Sequence, residues 1–223
     1  MDEILNSIKK FSYTYSEKDD VYWNNKNFTL EAVKNGGYYL THASEELKND
    51  REIVVEAIKN CGWALKYASE ELKNDKEIVL KAIKNCKNGV YCVLGKFNDD
   101  KEIILEAVKE NGFSLQYASN ELKNDKEIVN EAIKNNPISF VFASEQLKND
   151  KEFVLQTIKK RGISLTYGSE KVQKNKKLMM VALKNIIRID YIKIRNNNNK
   201  LHWGAIFDSG FYKKSYREIL QFY

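Results

Sequence analysis

The chain comes into register with itself when displaced by 25 residues. Ala32, Ala57, Ala82, Ala107, Ala132 and Ala182 then share one column, broken only by Thr157. The next column reads Val33, Ile58, Ile83, Val108, Ile133, Ile158 and Leu183. Asp50, Asp75, Asp100, Asp125 and Asp150 form another, and Glu52, Glu77, Glu102, Glu127 and Glu152 follow two places later. No gap is needed from Phe28 to Leu183. A period this short and this regular restricts the fold to a tandem array whose units bury their apolar faces against one another.

Each unit reads as two short helices. Asp50 has the side chain of an N-cap, able to accept from the unpaired amides of a first turn. Glu52 places negative charge at the positive end of the helix dipole. Ile53, Val54, Ala57 and Ile58 make one apolar stripe. Lys59 falls in the last turn, and Gly62 reads as a left-handed stop. A second helix is expected from about Trp63, with Leu65, Ala68 and Leu72 on its buried side. Helices of about 11 residues are marginal alone in water, so stacking must supply most of the stability. The alanine column reads as a contact where two backbones come close. The expected fold class is therefore all-α: a right-handed superhelical solenoid of short antiparallel helix pairs, HEAT- or TPR-like, with a 25-residue repeat.

The array has degenerate ends. Residues 1–24 read as a capping repeat, with Ile4 and Ile8 in register with Thr29 and Val33, and Tyr13, Tyr15, Tyr22 and Trp23 covering the open end. Residues 25–185 hold the tandem units. Residues 186–223 read as a C-terminal cap, with a polar loop at Asn196–Asn199 and an aromatic tail that could instead dock a partner. Inside the array, Val93-Leu94-Gly95-Lys96-Phe97 departs from the usual Ala-Ser-Glu-Glu-Leu, and Gly95 would cost a helix about 1 kcal/mol relative to alanine.

Few signals point to chemistry. His42 and His202 are the two histidines; His42 shares a column with Tyr67, Tyr117, Phe142 and Tyr167, which suits packing. Cys61 and Cys86 share a column and Cys92 follows, with no Cys-x-x-Cys pair. No phosphate-binding loop, nucleophile elbow or zinc-protease motif occurs. The expectation is a protein that is not an enzyme and takes no metal or cofactor. Without an apolar run of about 20 residues or a signal-peptide pattern, a cytoplasmic, monomeric protein with no membrane partner is expected.

Charge and column variability single out two candidate surfaces. The chain carries a net charge of +6, yet residues 159–200 hold twelve basic side chains against Glu170 and Asp190, a local +10. The candidate patch comprises Lys159, Lys160, Arg161, Lys174, Lys176, Lys177, Lys184, Arg188, Lys193, Arg195 and Lys200, with Tyr167 and Tyr191 available for stacking. Such a patch suits nucleic-acid phosphates or an acidic protein face, and equally a solvated face in a Lys/Asn-biased chain. The second surface comes from columns that change from unit to unit. Tyr38, Trp63 and Phe113 belong to one, and Thr41, Lys66, Tyr91 and Gln116 to the other. In a repeat protein such a face often reads a partner; drift on an exposed ridge would give the same pattern.

The segment Asn111–Val129, Asn-Gly-x-x-Leu-x-Tyr-Ala-Ser-x-x-Leu-Lys-Asn-Asp-Lys-Glu-Ile-Val, resembles a helical tandem-repeat family of unassigned function found in amoebae and bacteria. The resemblance spans about residues 26–185 and implies helical repeats with no catalytic residues. In size, Lys/Asn bias and repeat plan the chain is also similar to fusobacterial anti-CRISPR inhibitors of type VI RNA-guided ribonucleases, which have a HEAT-like superhelical fold. That similarity implies a protein or ribonucleoprotein partner, a CRISPR effector nuclease, with RNA as a further partner. A general protein-interaction scaffold and an RNA-binding repeat protein using the basic patch are the alternatives.

Overall fold

The computed structural model describes residues 2–9, 20–86, 96–161 and 167–182. Every regular element among them is helical. The first helix of each unit lies where the repeat places it: Lys26–Asn35, Arg51–Asn60, Lys76–Lys84, Lys101–Glu110, Lys126–Asn135 and Lys151–Arg161. Each cap aspartate accepts from two first-turn amides, as Asp50 does from Glu52 N at 2.9 Å and Ile53 N at 3.3 Å. The stripe Ile53, Val54, Ala57 and Ile58 is wholly buried, and so are its counterparts in the units that follow as far as Ile158.

The second half of each unit differs from the single helix that the spacing suggested. Gly62–Tyr67 is a 3₁₀ helix, the chain straightens at Ala68, and a four-residue α-turn covers Glu70–Lys73. The same division recurs at Gly37–His42 with Glu45–Lys48, and at Pro137–Phe142 with Glu145–Asn149. Gly62, Leu65 and Ala68 are spaced by three, which matches the three-residue turn of a 3₁₀ helix and keeps one side buried. Ser69 then starts a fresh turn by accepting from Leu72 N at 3.2 Å. The unit is thus a helix, a tight turn of helix and a short capped turn, rather than a pair of equal helices.

Gly62 does not end its helix in the left-handed conformation. Cys61 is the C-cap, in extended backbone. The glycine is required by its neighbour: a Cβ on Gly62 would lie 2.3 Å from the Ala82 carbonyl oxygen. Gly37 meets Ala57 O at 2.2 Å in the same way, and Gly112 meets Ala132 O at 2.4 Å. At Ala57, Ala82 and Ala132 the alanine column is therefore one half of a contact whose other half is a glycine 20 residues earlier. Pro137 occupies the glycine position 20 residues before Thr157, and Lys87 the one before Ala107.

Successive first helices pack on one another from unit to unit, and the buried residues of all units from Val33 to Ala182 form one continuous core. Polar bonds follow the same path. Ser69 donates its amide to Lys48 O at 2.9 Å, and Ser144 does so to Lys123 O at 2.9 Å. Asn60 Nδ2 donates to Lys34 O at 2.9 Å, and Asn135 Nδ2 to Lys109 O at 2.7 Å, covering carbonyls at the end of the preceding helix.

At the N-terminal end, Ile8, Trp23, Phe28, Ala32 and Tyr39 make a separate buried cluster. Trp23 packs edge-on to Phe28, with ring centroids 5.1 Å apart, and against the His42 ring at 5.2 Å. His42 thus has the packing contact its column suggested. Tyr13, Tyr15, Gly95 and the 186–223 cap with its Asn196–Asn199 loop lie outside the described residues. Among the described residues, no helix is long and apolar enough to cross a membrane, and no cluster of side chains is arranged to hold a metal ion.

Candidate binding surfaces

The 3₁₀ helices carry the variable columns. Because their buried sides face the core through Leu40, Leu65, Leu115 and Phe140, the residues two positions before and one after each of these point outward. Tyr38 is 47% exposed, Trp63 38%, Ile138 43% and Val141 43%. Of the five large hydrophobic residues exposed among the described ones, only Val21 lies outside the two columns. Phe113 and Gln116 are half-buried, Lys66 is exposed and Thr41 is half-buried. Tyr91 lies outside the described residues.

These positions form rows because the turns that carry them adjoin: Gly37–His42 packs on Gly62–Tyr67, and Gly112–Tyr117 on Pro137–Phe142. Phe113 sits edge-on to Phe142, ring centroids 6.1 Å apart. Tyr38 lies against Tyr39 at 4.1 Å, and Lys66 Nζ is 4.8 Å from the Tyr67 ring. Aromatic and aliphatic side chains held on short, tightly hydrogen-bonded turns give apolar contact area at little conformational cost, which is the character of residues that anchor protein interfaces. Ile138 and Val141, in the same two variable columns, extend the row.

A second surface is a ladder of ion pairs. Lys26 reaches Asp50 and Glu52, each at 2.8 Å. Arg51 pairs with Asp75 and Glu77. Lys76 joins Asp100 at 2.7 Å and Glu102 at 3.0 Å, and Lys101 joins Asp125 and Glu127 at 2.8 Å. Lys126 joins Asp150 at 2.9 Å. The first residue of each unit thus bridges the cap aspartate of the next and, at four rungs, its partner glutamate. The acidic columns were read from sequence as caps alone; the matching column of Lys26, Arg51, Lys76, Lys101 and Lys126 was the signal for the second role.

The electrostatics follow from these contacts. The Arg51 guanidinium holds Asp75 below the usual carboxylate range against the opposing effect of partial burial, with help from the Ile78 and Glu77 amides. The Lys126 bond, then the Phe153 amide, does the same for Asp150. At Asp50, Asp100 and Asp125 partial burial acts upward as the largest single influence, yet the lysine and amide bonds together outweigh it and the carboxyl is lowered. Hydrogen bonds to Asp125 and Glu127 raise Lys101 well above its ordinary value.

The basic patch is only partly within the described residues. Lys159 is exposed on the helix Lys151–Arg161, and Lys176 and Lys177 are exposed at the start of the following helix. Lys174 is paired with Glu170 at 2.5 Å. Lys160 and Arg161 end the helix Lys151–Arg161, and their side chains lie outside the described ones, as do Lys184, Arg188, Lys193, Arg195, Lys200 and Tyr191. Tyr167 is half-buried and packs against the core.

No curated protein and no solved structure matches the chain. A family model matches it five times, at residues 3–48, 25–72, 50–94, 100–148 and 150–192. Each match spans about two of the 25-residue units, so overlapping matches share a unit. The tandem matches cover most of the sequence, and the chain belongs to the family described as Domain of unknown function (DUF4116).

Proposed function

We propose that this is a non-enzymatic, cytoplasmic binding protein: a right-handed superhelical solenoid that presents its 3₁₀ turns to a protein partner. The supporting observation is the coincidence of two independent properties. The columns that differ most from unit to unit also carry Tyr38, Trp63, Ile138 and Val141, nearly all the exposed apolar bulk among the described residues. Side chains needed only to hold the units together would be buried and alike, as Ile53, Ile78, Ile103 and Ile128 are. Exposed apolar side chains in adjoining rows supply interface area, and their variation along the row supplies specificity.

The test is affinity capture with the intact chain and with a Trp63→Ser, Ile138→Ser, Val141→Ser variant, each with and without nuclease treatment. The reading requires a protein captured by the intact chain and lost with the variant while circular dichroism stays unchanged. Equal capture by both proteins would overturn it. Recovery of RNA alone would favour an RNA-binding repeat protein. The resemblance to anti-CRISPR inhibitors supports a narrower form, in which the captured partner is an RNA-guided ribonuclease; inhibition of that nuclease by the intact chain is the direct assay.

A further inference from the structure

The ion-pair ladder stops abruptly at Lys151, where the cation is kept and its acids are exchanged. In the register that joins Lys101 to Asp125 and Glu127, the positions matching those acids for Lys151 are held by Asn175 and Lys177. Asn175 still caps the next helix: Leu178 N donates to its Oδ1 at 3.2 Å and Met179 N to its carbonyl at 3.0 Å. Asparagine caps a helix about as well as aspartate, so the capping role survives and the charge is lost. Lys177 then puts a cation where Glu52, Glu77, Glu102 and Glu127 stand in earlier units. Among the described residues no carboxylate pairs with Lys151, Lys176 or Lys177.

The other end of the array sharpens the contrast. Asn25 caps the helix Lys26–Asn35 by accepting from Phe28 N at 3.0 Å, and Asn27 replaces the glutamate. There the exchange removes acids that have no lysine rung before them. At Lys151 the rung is present and no carboxylate among the described residues fills it. In this register Lys151 and Lys177 put like charges where earlier rungs put opposite ones, an electrostatic cost that a single acidic residue would relieve.

We infer that the junction formed by Lys151, Lys176 and Lys177 docks an acidic segment of a partner protein, whose Asp or Glu carboxylates complete the ladder in trans. The choice of carboxylate over nucleic-acid phosphate rests on two observations. The same position in the same register binds carboxylate oxygens at every earlier rung, at 2.7–3.0 Å for the lysines. Tyr167, the one aromatic of the basic patch within the described residues, is half-buried and packs against the core, a poorer platform for stacking a base than an open ring. The inference deepens the reading of the chain as a protein-binding array, yet uses a surface separate from the apolar rows.

The experiment uses the full chain and fluorescein-labelled deca-glutamate, followed by fluorescence anisotropy, with deca-uridylate as the comparison. The Asn175→Asp, Lys177→Glu variant installs the missing acids in cis. It should weaken peptide binding by roughly tenfold and raise the thermal midpoint, because Lys151 then has its own partners. A Lys109→Glu, Lys134→Gln variant carries the same change in net charge away from the junction and should retain most of the binding. Equal losses in the two variants, or tighter binding of uridylate than of glutamate, would overturn the inference. Capture through the apolar rows would be unaffected by the Asn175 and Lys177 changes, so either reading can fail alone.

Discussion

Gly62 lies so close to Ala82 of the next unit that a Cβ added to it would stand 2.3 Å from the alanine's carbonyl oxygen, 2.9 Å from the Cys86 Cβ and 3.1 Å from the Cys86 amide. Most of that obstruction is backbone and cannot turn aside. Gly62→Ala should therefore lower stability by about 1–3 kcal/mol, opposite in sign to the gain of about 0.4–1 kcal/mol expected where alanine fits. At Gly36 the added Cβ would meet only the Tyr38 and Tyr39 rings, and the backbone is extended. Gly36→Ala should cost clearly less. Urea unfolding of both variants checks the order, and equal effects would contradict the packing argument.

The cap aspartates do two jobs that substitution can separate. Asp75→Asn keeps an acceptor for the Glu77 and Ile78 amides but releases Arg51, and should cost about 0.2–1 kcal/mol, as exposed ion pairs do. Asp75→Ala loses the cap as well and should cost about 1 kcal/mol more. Measured in 1 M salt, the Asn variant should approach the parent while the Ala variant stays weaker. The contrast fails if salt brings both variants back to the parent.

Acid should unfold the array through these same groups. Asp50, Asp75, Asp100, Asp125 and Asp150 all have carboxyls lowered by folding. A carboxyl lowered in the folded state binds its proton more readily when unfolded, so its contribution is complete above the unfolded value of about 3.9 and is lost as pH falls through the folded values. Stability should be level from neutral pH to about 5 and drop below it, less steeply in Asp75→Asn. Denaturant midpoints across this range give the measurement, and a fall beginning above pH 6 would point to other groups.

The described helices run to eleven residues at most, and each packs against neighbouring units as well as against the 3₁₀ turn of its own. A peptide covering residues 50–74 should be largely unfolded by circular dichroism. Stability should rise with each unit joined to an array, since every addition brings one further interface. A helical, cooperatively melting 25-residue peptide is the result that sinks this view.

Much of this architecture was legible from sequence, because strict spacing records which residues must meet the same surroundings. The Asp caps, the alanine column and the buried stripe follow directly. The split of the second helix was less visible, since Leu65, Ala68 and Leu72 fit an α-helix as well as a 3₁₀ turn followed by a fresh cap; Ser69 before Glu70-Glu71-Leu72 was the clue. Gly62 was misread because a glycine after a helix usually marks a left-handed end, whereas here its meaning lies in Ala82. The ladder required pairing Arg51 with residues in the next unit, which no pattern within one unit displays. For the surfaces, Tyr38 and Trp63 of the variable columns are exposed while Thr41, Phe113 and Gln116 are half-buried, and Lys151 escaped notice because its distinction is a loss in its partners at Asn175 and Lys177.

The glycine–carbonyl contact and the lysine fork each join a unit only to the one that follows. The array's length is consequently a free variable: recombination can add or delete 25 codons in an internal stretch and rebuild identical joints on either side. Each such event would lengthen or shorten the row of outward side chains by one place, so that recognition could be revised by copying a module before any individual residue is altered.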